Sequence, residues 1–292
     1  MATQDLSGKI CLVTGATSGI GEVTARRLAG MGAAVTIVGR SAERAASTAA
    51  RIKAATGATV EILIADLSSQ TEVRRLADAF LARHNRLDVL INNAGALFNR
   101  RLESVDGIEM TWALNHMSYF LLTNLLLGAL QAATPSRIVN VASDAHRGAQ
   151  INFDDPQFKT NYSGWRAYGQ SKLANILFTV ELARRLDGTG VTANVLHPGF
   201  VASNFGKNNG GLFGILIGLA QKVTAISTEA GAATSIYLAS SPEVTGVSGQ
   251  YFEKCRAVTP SAEAQDRATA ARLWQLSEAL AAPAAALTFP EV

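Results

Sequence analysis

Short apolar runs separated by longer amphipathic stretches recur along most of the chain, and that rhythm sets the expectation for the fold. Residues 9–15 (KICLVTG) form a continuous apolar run closed by a glycine, the pattern of a strand buried on both faces of a parallel sheet. Residues 33–40, 59–65, 87–91, 137–143 and 190–197 repeat it, and residues 249–252 add a last short run. Between them the apolar positions predict helices over about 20–31, 41–55, the stretch after Ser69, 107–132, a stretch from Tyr168 to about 186, 228–239 and 260–280. Strands and helices in this order predict an α/β fold, doubly wound, with a seven-stranded, mainly parallel sheet and helices on both faces. Residues 1–280 are expected to form a single domain, and the Ala- and Pro-rich residues 281–292 a loose tail.

Two stretches break the rhythm. Residues 144–167 carry Pro156, Gly164 and several Asn and Asp residues, and predict an irregular excursion. Residues 210–220 (GGLFGILIGLA) are apolar and glycine-flanked, about half the length needed to span a bilayer. They are read as the centre of an apolar substrate lid over 205–225, against a buried helix, a dimer contact or a superficial membrane contact.

Composition narrows the function classes. With 292 residues and 48% hydrophobic content, a sizeable core is within reach. A net charge of +3, scattered rather than clustered, gives no basic face for nucleic acid. Two distant cysteines, Cys11 inside a strand-like run and Cys255, fit a reducing compartment and a cytoplasmic location. The polar N-terminus lacks the apolar core of a signal peptide, and no run is long enough to cross a membrane.

Candidate chemistry lies where strands end. After the first run, Gly15, Thr17, Ser18, Gly19, Ile20 and Gly21 make a Gly-x3-Gly-x-Gly turn into a helix, which leaves backbone N–H groups free for a pyrophosphate. After the second run stand Arg40 and Ser41 in place of a carboxylate, which suits a 2′-phosphate and favours NADP(H) over NAD(H). Asp66, followed by Leu67, either accepts from an adenine amine or caps the next helix, for which Ser69 with Glu72 also offers a capping box. Asn92-Asn93-Ala94-Gly95 either braces the crevice through its carboxamides or is a plain turn. Asn115, in an apolar helix, requires a partner, either a bound water or a neighbouring carbonyl.

Ser143 closes the fifth run. Tyr168 and Lys172 are one helical turn apart, so both side chains reach a common ligand. A fixed positive charge beside the phenol is expected to lower its pKa toward a useful range. Beyond the sixth run, Pro198-Gly199 forms a turn, and Val201 and Ser203 complete the candidate cofactor contacts, Ser203 within reach of a nicotinamide carboxamide. No metal site is expected.

Thr14 to Gly21, Asn92 to Gly95, Asn115, Ser143, Tyr168 with Lys172, and Pro198-Gly199, in that order, resemble the short-chain dehydrogenase/reductase family over roughly residues 8–252. Leu114-Asn115-His116, Ser143-Asp144-Ala145-His146, residues 151–155, residues 170–178 and Leu196-His197-Pro198-Gly199 are similar to its retinol dehydrogenase branch. An N-terminal membrane anchor found in many members of that branch is not expected here. The resemblance implies a Rossmann-type fold and an NADP(H)-dependent interconversion of an apolar alcohol with its aldehyde or ketone. It implies that Ser143 holds the substrate oxygen, Tyr168 transfers the proton, Lys172 holds the nicotinamide ribose and Asn115 positions a water. A homodimer or homotetramer is implied as well. Reduction of bulky steroid, lipid or xenobiotic ketones is the neighbouring reading, and a nucleotide-binding regulatory protein the reading outside enzymes.

Overall fold

The apolar runs pair into one sheet because each can bury both faces only between neighbours and under helices. The computed structural model describes residues 5–199 and 227–281. Its strands are β1 (Ile10–Thr14), β2 (Ala34–Gly39), β3 (Glu61–Ile64), β4 (Val89–Asn92), β5 (Ser136–Val141), β6 (Val191–His197), β7 (Tyr251–Glu253) and β8 (Arg256–Ala257). Their order is β3-β2-β1-β4-β5-β6-β7-β8. All neighbours run parallel except β7 and β8.

The expected seven strands are therefore eight among the described residues. The extra strand returns through a tight turn in which Lys254 (φ 49°) and Cys255 (φ 61°) take left-handed conformations. Neither residue is a usual turn-former at positive φ, so the hairpin leaves no mark in the sequence.

The helices are α1 (Gly19–Gly30), α2 (Ala42–Thr56), α3 (Gln70–Leu81), α4 (Met110–Trp112), α5 (Ser118–Leu125), α6 (Leu127–Gln131), α7 (Gly164–Arg185), α8 (Thr228–Ser240) and α9 (Arg267–Leu280). One face of the sheet is covered by α1, α2 and α8 through Ala25, Leu28, Ile52 and Leu238. The other carries α3 to α7 and α9, with Phe80, Phe120, Phe178 and Trp274 in its core. Trp274 stacks on Phe178 at 5.7 Å between ring centroids and fixes α9 against α7.

Three expected elements differ in detail. The helix expected over 107–132 is interrupted by a wide π-type turn at Ala113–Met117 and a break at Leu126. The last helix starts at Arg267 rather than at Pro260, because Asp266 caps it, accepting from Ala268 N and Thr269 N. α7 starts at Gly164, inside the stretch expected to be irregular, rather than at Tyr168. The expected lid at 205–225 and the tail beyond 281 lie outside the described residues.

Strand order reverses between β1 and β4, and open sheets of this kind bind ligands outside the carboxyl ends of their strands at such a point. Every described site residue singled out above ends or follows a strand, or lies on a helix that borders that edge.

Candidate active site

The turn after β1 is built for close approach. Gly15 sits at φ 64°, and a Cβ there would come within 2.8 Å of Ala94 Cα in the turn after β4. Asn93 ties the two turns together, its Nδ2 donating to Thr14 O at 2.8 Å and to Gly15 O at 3.3 Å. Ala16 N donates to Val38 O, and Thr17 O accepts from Thr48 Oγ1 of α2. At the head of α1, Ser18 occupies the cap position without a side-chain cap bond, so the first-turn N–H groups of Gly19, Ile20 and Gly21 are not satisfied by that side chain. A glycine cradle opening onto uncapped helix N–H groups fits the pyrophosphate of a dinucleotide. Gly15→Ala should weaken cofactor binding at least tenfold, roughly 1.4 kcal/mol, since the added methyl meets backbone; fluorescence titration of the cofactor checks this.

The adenosine side is less fully committed. Arg40 is exposed directly after β2, while Ser41 spends its Oγ as the cap of α2, accepting from Arg44 N at 3.2 Å. Asp66 is exposed and folds one oxygen back onto Ser68 N and Ser68 Oγ, at 3.0 and 2.8 Å. Ser69, not Asp66, caps α3. Leu67 puts its side chain in the core, which leaves its backbone for any ligand. Asn92 is fully buried, its Nδ2 donating to Asn140 Oδ1 and Thr123 Oγ1 at 2.9 Å, so its carboxamide braces the sheet rather than facing the crevice.

Four elements bring the polar cluster together. Tyr168 and Lys172 sit on α7, as expected one turn apart and both buried, 7% and 3% exposed. Gly169 lets α7 approach the turn after β5, since a Cβ there would lie 2.7 Å from Ala145 O. That approach brings Ser143 close enough to Tyr168 to act on the pKa of its phenol. Lys172 Nζ donates to Val141 O at 3.0 Å and lies 5.7 Å from the centroids of both the Tyr119 and Tyr168 rings.

Asn115 lies in the π-type turn, where its Oδ1 accepts from Ala96 N at 2.9 Å. Its Nδ2 donates to Ala96 O at 2.9 Å and to Ser171 Oγ at 3.0 Å. The Ala96 carbonyl is one of the partners that a buried Asn requires. A Cβ at Gly95 would lie 3.2 Å from Asn115 Oδ1 and 3.3 Å from Lys172 Nζ, so the turn after β4, Asn115 and Lys172 converge on one point.

Burial dominates the electrostatics. It pushes the Tyr168 phenol up to about 12, against the opposing pull of the nearby Ser143 hydroxyl, and the Lys172 ammonium down to about 7. The expected lowering of the Tyr168 pKa by Lys172 is not seen. The ammonium sits over the face of the ring, and burial is the larger influence on the phenol. Near neutral pH, Tyr168 therefore holds its proton and can donate it, while Lys172 is poised between its two forms.

Pro198 and Gly199, the latter at φ 85°, follow β6 at the same edge. Val201 and Ser203 lie outside the described residues. Several contributors carried no sequence signal. Val141 offers a backbone carbonyl, and Ser171 and Tyr119 matter only because the tertiary fold sets them against Asn115 and Lys172. His116 is buried with Nε2 2.8 Å from Ser277 Oγ, tethering the π-type turn to α9. Tyr162, the other tyrosine of this region, donates to Phe98 O and Glu109 Oε1 and is spent on structure.

Comparison with known proteins points the same way. Residues 9–210 match the short chain dehydrogenase family. The chain is 43% identical to human (Homo sapiens) retinol dehydrogenase 14 over 291 residues, covering 94% of this chain and 87% of that protein. A crystal structure of an uncharacterized protein from Mycobacterium Paratuberculosis superposes with TM-score 0.78 at 35% identity, over 95% of both chains. The RhlG/NADP active-site complex of Pseudomonas aeruginosa superposes with TM-score 0.68 at 33% identity, over 85% of this chain and 95% of that one. Among the described residues no helix is long and apolar enough to cross a membrane.

Proposed function

The chain belongs to the short chain dehydrogenase family and is an NAD(P)-dependent oxidoreductase of the CH–OH/C=O couple, and from that premise we propose that it interconverts an apolar alcohol and its aldehyde or ketone with NADP(H). The observation that carries the reading is a buried, protonated Tyr168 beside Ser143 and one turn from Lys172, at the carboxyl edge of the sheet. A protein that merely bound a nucleotide would need no such proton donor. We assign Ser143 to orient the substrate oxygen and Tyr168 to give it a proton on reduction, or take one on oxidation. Lys172, with one of its three N–H donors on Val141 O, would hold a ribose hydroxyl of the cofactor with the others. Asn115 keeps the Gly95 turn in place beside it through both bonds to Ala96. When bound, the dinucleotide supplies or takes up the hydride.

NADP(H) preference rests on Arg40, exposed at the end of β2 where no carboxylate stands. Arg40→Ala should lower kcat/KM with NADPH about thirtyfold, roughly 2 kcal/mol, and leave NADH nearly unchanged. Equal losses with both cofactors would remove Arg40 from this role.

An apolar substrate is supported by Trp165, one turn before Tyr168, 62% exposed with its ring centroid 6.1 Å from that of Tyr168. So large an exposed ring beside the phenol supplies an apolar wall. Relatives named retinol dehydrogenase act on an alcohol of that character, which favours a retinoid-like or similarly long, conjugated substrate. Trp165→Ala should raise KM about tenfold for a long conjugated aldehyde and hardly at all for a short aliphatic one. NADPH consumption across a panel of apolar aldehydes and ketones tests the reading and separates retinoid-like substrates from steroid, lipid and xenobiotic ketones. A panel without turnover overturns it. The single domain over 1–280, cytoplasmic location and pairing into a dimer or tetramer complete the proposal, the last testable by light scattering.

A further inference from the structure

Two histidines bracket Ser143, and no part of the mechanism above uses them. On one side, His146 Nδ1 lies 2.7 Å from Ser143 O, and His146 Nε2 accepts from Ser261 N at 3.2 Å. A carbonyl can only accept, so Nδ1 carries the proton, and an amide N–H can only donate, so Nε2 does not. On the other side, His197 Nδ1 at the end of β6 accepts from Asp144 N at 3.0 Å. Both rings must be neutral, each with one defined tautomer, for these bonds to stand. Together they fix the carbonyl of Ser143 and the amide of the residue after it, on either side of the peptide bond that carries the Ser143 side chain toward Tyr168.

We propose that His146 and His197 are positioning residues, neutral imidazoles that hold the Ser143–Asp144 peptide so that Ser143 Oγ stays aligned with the Tyr168 hydroxyl. The proposal rests on the reading of Ser143 and Tyr168 given above, and it extends that reading to the backbone beneath them. The surroundings favour neutral rings. His146 is fully buried against the Tyr251 ring of β7, 5.2 Å away, and His197 is half-buried. Desolvation lowers both pKa values. Asp144 and Arg147 on the intervening turn face both rings, Glu263 faces His146, and Glu253 of β7 faces His197; the carboxylates oppose the lowering and Arg147 reinforces it. Protonating His197 Nδ1 would set an N–H against the N–H of Asp144, and protonating His146 Nε2 would do the same to Ser261. Either event frees the peptide that carries Ser143, so the rate should fall on the acid side as the rings charge.

The test compares His197→Leu, which cannot accept, with His197→Asn, which can, in the full chain with NADPH bound. His197→Leu should lower kcat about tenfold while the Kd for NADPH stays within about twofold, and His197→Asn should restore most of the rate. The double variant carrying His197→Asn and His146→Gln keeps an acceptor and a donor at both places without a titrating ring, and should lose the acid limb of the kcat profile. A readout that needs no substrate is amide hydrogen exchange at Asp144, faster by about tenfold in His197→Leu and restored in His197→Asn. Wild-type Asp144 exchange in His197→Leu overturns the proposal whatever the substrate is. Equal impairment of the Leu and Asn variants, or an acid limb unchanged in the double variant, also overturns it. Absence of wild-type turnover on every carbonyl would instead count against the reading of function and leave the exchange result to decide on the histidines.

Discussion

Tyr168→Phe is expected to lower turnover about a thousandfold, roughly 4 kcal/mol in the barrier, while leaving NADPH affinity within about twofold. The substitution removes one oxygen and keeps the ring that packs beside Trp165 and beneath the Lys172 ammonium. The cradle at Gly15 and the N-terminus of α1 lie on other elements and are untouched. Ser143 loses its phenol neighbour's hydroxyl but keeps the contact in which its Oγ accepts from Ala145 N at 3.2 Å. Single-turnover kinetics beside a fluorescence titration of NADPH separates the two effects. A variant that keeps roughly a tenth of the parent rate would remove Tyr168 as the proton donor.

The second large effect runs in opposite directions for stability and activity. Lys172 falls from an ordinary 10.5 to about 7 in the folded protein because burial disfavours its charge. Between about 7 and 10.5 the unfolded chain therefore binds a proton that the folded chain does not, so stability rises with pH through that window, and the penalty is fully present below it. Lys172→Met keeps an unbranched side chain of similar length and removes the penalty. It should stabilise the cofactor-free protein near neutral pH by on the order of 3 kcal/mol, raising Tm by about 5–10 °C, and flatten the dependence on pH above 7. Val141 O keeps Asn175 Nδ2 and the Tyr119 hydroxyl, at 3.4 and 3.5 Å, so the carbonyl is not orphaned. Turnover should fall at least a hundredfold, because a ribose contact and the local positive charge are lost together. Thermal unfolding from pH 6 to 9 checks the first half and steady-state kinetics the second. A less stable Lys172→Met would show that burial of this ammonium costs the fold nothing.

These two residues also show what the sequence could and could not carry. Their spacing placed them on one face of a helix, and α7 puts them there with Ser143 at the end of β5 opposite. The succession of strands and helices followed from periodicity and the glycine turn, because parallel strands buried on both faces leave continuous apolar runs. The electrostatics did not follow. Sequence shows that a cation stands one turn from a phenol but not that both are almost wholly withdrawn from water, and it is burial that sets their pKa values. The π-type turn at Asn115 was hidden for a similar reason. It is held by the Ala96 backbone and Ser171, partners 19 and 56 residues away in sequence. The β7–β8 hairpin was hidden because its turn uses Lys254 and Cys255. His146 and His197 were visible as motif residues, but their work is done through backbone atoms that no motif displays.

The most direct test of carbonyl–alcohol chemistry at this site follows a label rather than a rate. NADPH deuterated at the nicotinamide C4 is incubated with the full-length protein and a long apolar aldehyde, and the alcohol is analysed by mass spectrometry. One deuterium on the carbinol carbon, formed by the wild type and lost in Tyr168→Phe, is the expected result. Alcohol without the label, or labelled alcohol formed equally well by Tyr168→Phe, would contradict the assignment of Tyr168, Ser143 and Lys172 to this reaction.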